Sequence, residues 1–443
     1  MSSFRIFIVA VCVFLVGFTG QKVFASDSGV IKLELPDAAA VGMGGAFVGE
    51  ADRPSAVYYN PAGIVQMDTM EFSGGITWLQ PQIKFESLTS GNGNTSEMKQ
   101  DNYIFPAIFA TAPVIKDKLY IGAGEASDFG AGNDWHADSF SRYDTVKDSI
   151  ENKDIMLVAA YKINDRWSVG AGAIDDLSKF EHDQALSQNN GVDGDALFKA
   201  NDHAWGFTLA SLFKLNDQNQ FGLTYKSPIH HTYNGTLYLN NLNNSPTFGP
   251  LGGGFPGGYS DVFGASSLTT KAVQKLTLPQ SVTLGYSLKP TSKWKVNFDL
   301  EWTDWSNTEQ QIIYYPNTSA KQASILATDN PQQRSWRSVW SESLGTEYGI
   351  TDTFRIRGGY DHHQSPVPKN TYDTAFPDSN YNAVSTGFGF DITKNITIDI
   401  GYVAVFYQPR SIKNAQGVAL SAALGGKYSE FVNIGTATLT YKF

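Results

Sequence analysis

The sequence has almost no cysteine: among 443 residues only Cys12 carries a thiol, and it sits in the first apolar stretch. Met1 to Ala25, with Arg5 near its start, an apolar run from Ile6 to Phe18 and Val23-Phe24-Ala25 before Ser26, has the layout of a secretory signal peptide. Cleavage near Ala25 would leave a mature chain without cysteine, which excludes a disulfide framework and thiol chemistry. Long apolar runs are missing too. Beyond the signal, nothing approaches the ~20 residues that a membrane-spanning helix needs. Charge is sparse, at 17% of residues, and weighted towards acid, with a formal net charge of −10. A chain so balanced is not built to hold nucleic acid. No linker rich in Pro, Gly and Ser divides it into the separate cores that a soluble chain of this length would have. Neither a G-x-S-x-G elbow nor an H-E-x-x-H pair occurs. Among the seven histidines, the neighbours His230–His231 and His362–His363 would face opposite ways on a strand. Neither an enzyme nor a metal or other cofactor is expected.

What the chain has instead is alternation. Trp294 to Trp302 puts Trp294, Val296, Phe298, Leu300 and Trp302 on one face and Lys295, Asn297, Asp299 and Glu301 on the other. Ile396 to Phe406 and Leu276 to Leu288 repeat the pattern. With 13% aromatic residues, this suits a transmembrane β-barrel, whose apolar face meets lipid and whose polar face lines the lumen. Short polar turns near 116–118, 164–166, 216–218, 290–293, 350–353 and 393–395 alternate with long stretches near 88–101, 130–150, 182–198, 240–270, 316–335, 363–380 and 408–428. Six short and seven long connections predict a fourteen-stranded antiparallel barrel with both ends on the short-turn, periplasmic side. The final Thr436 to Phe443 puts Ala437, Leu439, Tyr441 and Phe443 on one face, an aromatic terminus of the kind read during outer-membrane insertion.

Ser26 to Thr69 does not alternate. It is rich in Ala and Gly, and in Asn60-Pro61-Ala62-Gly63 the asparagine can cap a short helix that opens on proline and runs to about Met67. Such a compact segment suits an insert inside a lumen. The combination Ala38 to Gly63, "AAAVGMGGAFVGEADRPSAVYYNPAG", resembles the N-terminal plug of the FadL family, outer-membrane transporters of long-chain fatty acids and other hydrophobic compounds. "DKLYIGAGEASDFG", "WGFTLASLFKLNDQNQFGLTYKS", "LTLPQSVTLGY" and "SPVP" followed by "FPDSN" extend the resemblance over nearly the whole mature chain. It implies a signal at 1–25, a plug at 26–69 and a barrel at 70–443. It also implies passive uptake of apolar molecules, captured by outer loops and released sideways into the bilayer. A general porin, or a surface or adhesion protein without hydrophobic transport, is the alternative. The expected setting is the outer membrane of a Gram-negative bacterium. Expected partners are outer-membrane lipids including lipopolysaccharide, the barrel-assembly machinery during insertion, and no second copy.

The same resemblance assigns parts. Asn60, Pro61, Ala62 and Gly63 belong to the plug and its gating, with Arg53 anchoring it to acids of the wall. The third strand, Lys118 to Gly130, matches the family's kinked, lateral-opening strand. Gly122 and Gly124 are its expected bend, and Glu125, Asp128 and Phe129 lie close to the gap. If the two acids face that gap they disfavour an anionic fatty acid; if they face solvent they do not bear on it. The connection 240–270 offers Phe248, Leu251, Phe255, Tyr259, Val262 and Phe263 among closely placed glycines as exposed capture groups. The more polar Ala185 to Ala200 is a second outer loop. A carboxylate in the lumen needs a cation, for which Arg142, Lys199, Lys295 and Arg357 are candidates, although lumenal bases commonly pair with acids such as Asp299 and Glu301.

Overall fold

A computed structural model describes residues 32, 35–87, 95–188, 191–244, 247–248, 254–255, 258–326, 330–413 and 424–443; the expected signal, Met1–Ala25, lies outside the described residues. Alternating residues build strands because one face meets an apolar surround and the other a polar interior. The first wall strands are β1 (Glu71–Ser87), β2 (Tyr103–Ile115), β3 in two pieces (Leu119–Ala126 and Gly130–Asp134), β4 (Lys147–Lys162) and β5 (Trp167–Leu186). Next come β6 (Gly194–Lys214), β7 in two pieces (Asn219–Lys226 and Ile229–Asn240), β8 in two pieces (Leu268–Leu278 and Gln280–Thr291) and β9 (Trp294–Asp304). The wall ends with β10 (Val339–Gly349), β11 (Phe354–His363), β12 (Tyr381–Asp391), β13 (Ile396–Tyr407, then Arg410–Ile412) and β14 (Gly426–Lys442). Each pairs antiparallel with its neighbours, and β14 pairs with β1 from Glu71↔Lys442 to Ser87↔Gly426, so the sheet closes on itself with no free edge. Among the described residues no helix is long and apolar enough to cross a membrane.

On β9, Asn297, Asp299, Glu301 and Thr303 are buried, whereas Trp294 and Phe298 are exposed. The same outward set recurs around the wall, including Trp205, Leu209, Leu344, Phe388 and Ile400. Exposure of this many large apolar side chains is stable when lipid covers them. At the end of the chain Leu439, Tyr441 and Phe443 face outward as expected. All six short turns fall at one end, and the expected outer connections at the other. One of them differs: Ala185 to Ala200 is mostly strand, because β5 and β6 pair as far as Leu186↔Gly194.

The wall is interrupted at several places. In β3 the pairing jumps from Ala126↔Asp154 to Gly130↔Glu151, so Ser127, Asp128 and Phe129 stand opposite only Asn152 and Lys153. Between β7 and β8, Pro228 and Pro279 separate Lys226↔Ser281 from Ile229↔Leu278; proline has no N–H to give the ladder. Between β6 and β7, pairing stops at Thr208↔Lys226 and resumes at Asn201↔Asn234. There Asp202 accepts from Thr232 N (2.8 Å) and Ser227 Oγ from Phe207 N (2.9 Å).

Candidate functional site

The segment ahead of β1 fills the lumen. Its elements are short: α1 (Ala38–Val41), α2 (Ala56–Tyr59) and a 3₁₀ turn, Pro61–Gln66. Asp37 caps α1 by accepting from Ala39 N at 2.8 Å, and it also accepts from Ser55 Oγ at 2.7 Å. Asn60 is the cap expected from sequence, accepting from Ala62 N at 3.1 Å ahead of Pro61. Its amide also donates to Val48 O (2.9 Å) and to Ser211 O of β6 (3.2 Å), ties that no local pattern announces.

Glycines on the wall let this backbone lie against the strands. A Cβ on Gly222 would sit 2.0 Å from Val48 O, one on Gly285 2.2 Å from Gly49 N, and one on Gly170 2.6 Å from Ala62 N. Gly345, Gly359, Gly387 and Gly401 meet the Ala38–Gly44 stretch in the same way. Wall side chains then satisfy the segment's backbone. Ser168 Oγ donates to Ala62 O (2.8 Å) and Thr224 Oγ1 to Tyr59 O (2.9 Å), while Asp299 accepts from Phe47 N (2.7 Å) and Val48 N (2.8 Å).

Charge completes the attachment at the short-turn end. Arg53 pairs with Asp37 and with Asp399 of β13, a wall acid. Arg357, on β11, donates to Glu347 and Asp399, each at 2.7 Å, and Lys295 pairs with Glu50, with Asp52 (3.2 Å) and with Glu347 (3.5 Å). Both cations are therefore committed to carboxylates of the wall and the inserted segment. Burial would raise the Asp52 carboxyl, but Lys295, Lys289 and Arg53 outweigh it and hold it below the usual range. Burial pushes the Glu50 carboxyl up, and the Asp52 charge adds to that.

The other two expected lumenal cations are not there. Arg142 sits in the connection after β3, a third exposed, and pairs with Asp193 at 3.0 Å. Lys199 is on the outward face of β6, where it pairs with Glu181 at 3.2 Å. The alternation of β6 puts Phe198 and Ala200 inward and so turns Lys199 out.

At the β3 interruption both acids are buried and partnered, Asp128 towards the inserted segment and Glu125 on the outward set, in register with Ile108 and Ile155. Glu125 pairs with Lys153 at 2.9 Å, and Asp128 pairs with Lys226 of β7 at 2.8 Å while Tyr58 donates to it. The Lys226 ammonium also lies 3.6 Å from the centre of the Tyr58 ring. The expected bend at Gly122 and Gly124 is not observed: both pair regularly with β2 and β4, and the interruption starts at Ser127, three residues after Gly124. Space explains these glycines, since a Cβ would strike Val57 at Gly122 and Phe109 at Gly124. Phe129 is buried, and its backbone forms an isolated bridge with Lys32, a pairing the sequence did not suggest.

From Phe129 a chain of buried rings leads towards the long connections. Phe129 meets Trp305 edge-on at 6.1 Å, Trp305 meets Trp336 at 5.2 Å, and Trp336 meets Phe376 at 5.7 Å. In the 240–270 connection, Tyr259 and Phe263 of α3 (Gly258–Phe263) are buried in the same core, and Val262 packs against it. They are not the exposed groups expected of a loose capture loop, because α3 turns them inward. Leu251 and the side chains of Phe248 and Phe255 lie outside the described residues.

Two spaces flank the inserted segment. A basin of about 650 Å³ at the short-turn end is lined by charged groups including Glu50, Asp52, Arg53, Lys295 and Arg355. On the other side is a narrow cavity of about 90 Å³ whose wall includes Val403, Val405, Val432, Ile434, Leu79 and Ala383, with Lys32, Glu301, Asp361 and His363 opposite. Inward-facing aliphatic residues on β12, β13, β14 and β1 depart from the polar lining usual for a barrel.

The family profile described as "Outer membrane protein transport protein (OMPP1/FadL/TodX)" matches residues 24–443. The long-chain fatty acid transport protein of Escherichia coli K12 is 25% identical over 420 residues, covering 87% of this chain and 89% of that protein. Outer membrane protein P1 of Haemophilus influenzae is 20% identical, covering 96% and 98%. Among solved structures, a Pseudomonas aeruginosa FadL homologue superposes with a TM-score of 0.77 at 19% identity, covering 94% of this chain and all of that one. The Pseudomonas putida toluene transporter TodX gives 0.64 at 16% identity, covering 93% and 99%. A closed wall with an inserted N-terminal segment, and a profile match along nearly its whole length, make this chain a member of the FadL outer-membrane transport protein family.

Proposed function

We propose that the protein is a passive uptake channel for hydrophobic molecules in the outer membrane of a Gram-negative bacterium. The named substrates of its relatives, long-chain fatty acids and toluene, bracket the class. Residues 26–69 are the plug and 70–443 the barrel, after a signal at 1–25. No bond is made or broken in this reading, so no catalytic group takes part.

The observation that carries it is the interruption of β3 at Ser127–Phe129, beside the inward end of a buried aromatic chain. A ligand taken in among Trp336, Trp305 and their neighbours stays in apolar surroundings as far as the gap, which opens towards lipid. Each CH₂ kept from water is worth roughly 0.8 kcal/mol, so the bilayer is a better destination than the aqueous periplasm, without any energy source. Asn60 to Gly63 and Arg53 hold the plug. Glu125 and Asp128 frame the exit, and Tyr259, Val262 and Phe263, with the remaining apolar groups of their connection, receive the ligand. The working unit in this reading is a monomer, surrounded by lipopolysaccharide and inserted by the barrel-assembly machinery; a wall that closes within one chain supports it.

The test is uptake at low concentration in cells lacking the gene, using an oleate and a toluene tracer. Restoration of either tracer by the intact chain, but not by a chain lacking Ser127, is the expected result. Equal entry of both tracers with and without the gene, and no binding of either to purified protein, would sink the reading.

A further inference from the structure

The narrow cavity between the inserted segment and β12–β14 has an unusual polar edge. Its described lining carries one cation, Lys32, and two carboxylates, Glu301 and Asp361. Lys32 is bonded to Glu301, which also accepts from Thr283 Oγ1 (2.7 Å) and Thr303 Oγ1 (2.9 Å), and Asp361 accepts from Ser343 Oγ (2.9 Å). His363, 6% exposed, is stacked on Tyr381 with ring centres 5.1 Å apart. Its Nε2 is buried and meets no hydrogen-bond partner among the described residues. Facing this edge is an unbroken aliphatic surface made by Val403, Val405, Val432 and Ile434.

The geometry points to a binding subsite for an uncharged amphiphile, a single apolar chain ending in one hydrogen-bonding group such as a hydroxyl, with the head at His363 Nε2 and the chain on the β13–β14 surface. The reasons are chemical. A carboxylate head would enter a lining with more acid than base, whose one ammonium is already bonded, and would lose its hydration without gaining a counter-charge. A hydrocarbon with no head would leave the imidazole nitrogen buried and unpaired. An uncharged hydroxyl satisfies that nitrogen in either tautomer, because it both donates and accepts. The cavity, at about 90 Å³, is smaller than the roughly 150 Å³ of an engineered site that takes up benzene, so it encloses the head and first carbons of the ligand while the rest of the chain lies along the β13–β14 surface. This assignment rests on the channel reading for the arrival of its ligand.

The experiment uses the full chain in lipid nanodiscs, with empty discs subtracting partition into lipid. Radiolabelled decanol, decanoate and decylamine are compared at a pH well above the carboxylate range. Decanol is expected to bind at one saturable site, and decanoate at least about tenfold more weakly. His363→Phe should weaken decanol about tenfold, the scale of one lost hydrogen bond, and His363→Gln, which keeps such a group, should restore most of it. In a crystal soaked with a bromodecanol, the bromine should lie against Val405 and Val432. Decanoate or decylamine binding as tightly as decanol overturns the assignment, as does a His363→Phe protein that assembles normally and binds decanol unchanged. A site that fails these tests while toluene uptake persists removes only this inference; decanol bound at His363 in a chain that restores no uptake removes the channel reading and leaves the site.

Discussion

Asn60 does two things with one amide: its oxygen caps the 3₁₀ turn and its nitrogen ties Val48 of the inserted segment to Ser211 of the wall. Asn60→Ala should cost about 1 kcal/mol for the cap and about 1–3 kcal/mol for each carbonyl left buried and unpaired. The expected outcome is a barrel that still assembles but unfolds at lower temperature and conducts more ions in planar bilayers. The Asp128–Lys226 pair makes a second case. Both side chains are largely buried, so Lys226→Met leaves an uncompensated carboxylate and should destabilise by about 3–5 kcal/mol, whereas Asp128→Asn in the same chain should recover most of the loss. Denaturant unfolding of both variants checks this. The cap was legible in the sequence because it acts over two residues; the Ser211 and Lys226 partners were not, because the chain passes well over a hundred residues, or nearly a hundred, between them.

Among elements, β3 has an irregularity of the right size to be undone. Three of its residues face two of β4, so deleting Ser127 brings both halves into one register. A continuous strand should form, with the amount of folded protein unchanged and tracer uptake reduced several-fold; uptake at the original rate would show that the ligand leaves elsewhere. The sequence marked this strand but misplaced its bend, reading Gly122 and Gly124 as weak points when they are clearances for Val57 and Phe109. A missing side chain looks the same in sequence whether the backbone turns there or a neighbour needs the room. The strands themselves were readable because period two is a local property imposed by lipid on one side. Facing was readable only where strand limits were right. Lys199 was assigned to the lumen beside a connection that the structure shows to be strand, and the parity of β6 sends it outward. The ring chain from Phe129 to Phe376 joins the β3 interruption to two separate connections and leaves no periodic trace.

For the whole molecule, the barrel is closed laterally by β1 and β14 and axially by the inserted segment, with the charged basin on one side and the aliphatic cavity on the other. Ions should therefore pass poorly through the intact protein. Gly222→Ala combined with Gly285→Ala puts methyl groups where Val48 O and Gly49 N now lie, so the segment must shift; bilayer conductance should rise towards that of an open lumen without loss of the outer-membrane fraction. Unchanged conductance would mean that the wall yields instead. Carbonyls and amides of residues 38 to 62 touch bare strand backbone on at least seven strands, with Thr224, Ser168 and Asp299 clasping them from the side. The seal is therefore held by what the wall leaves out: at seven glycines backbone meets backbone, and a single methyl group added at any of them presses on the segment rather than on solvent.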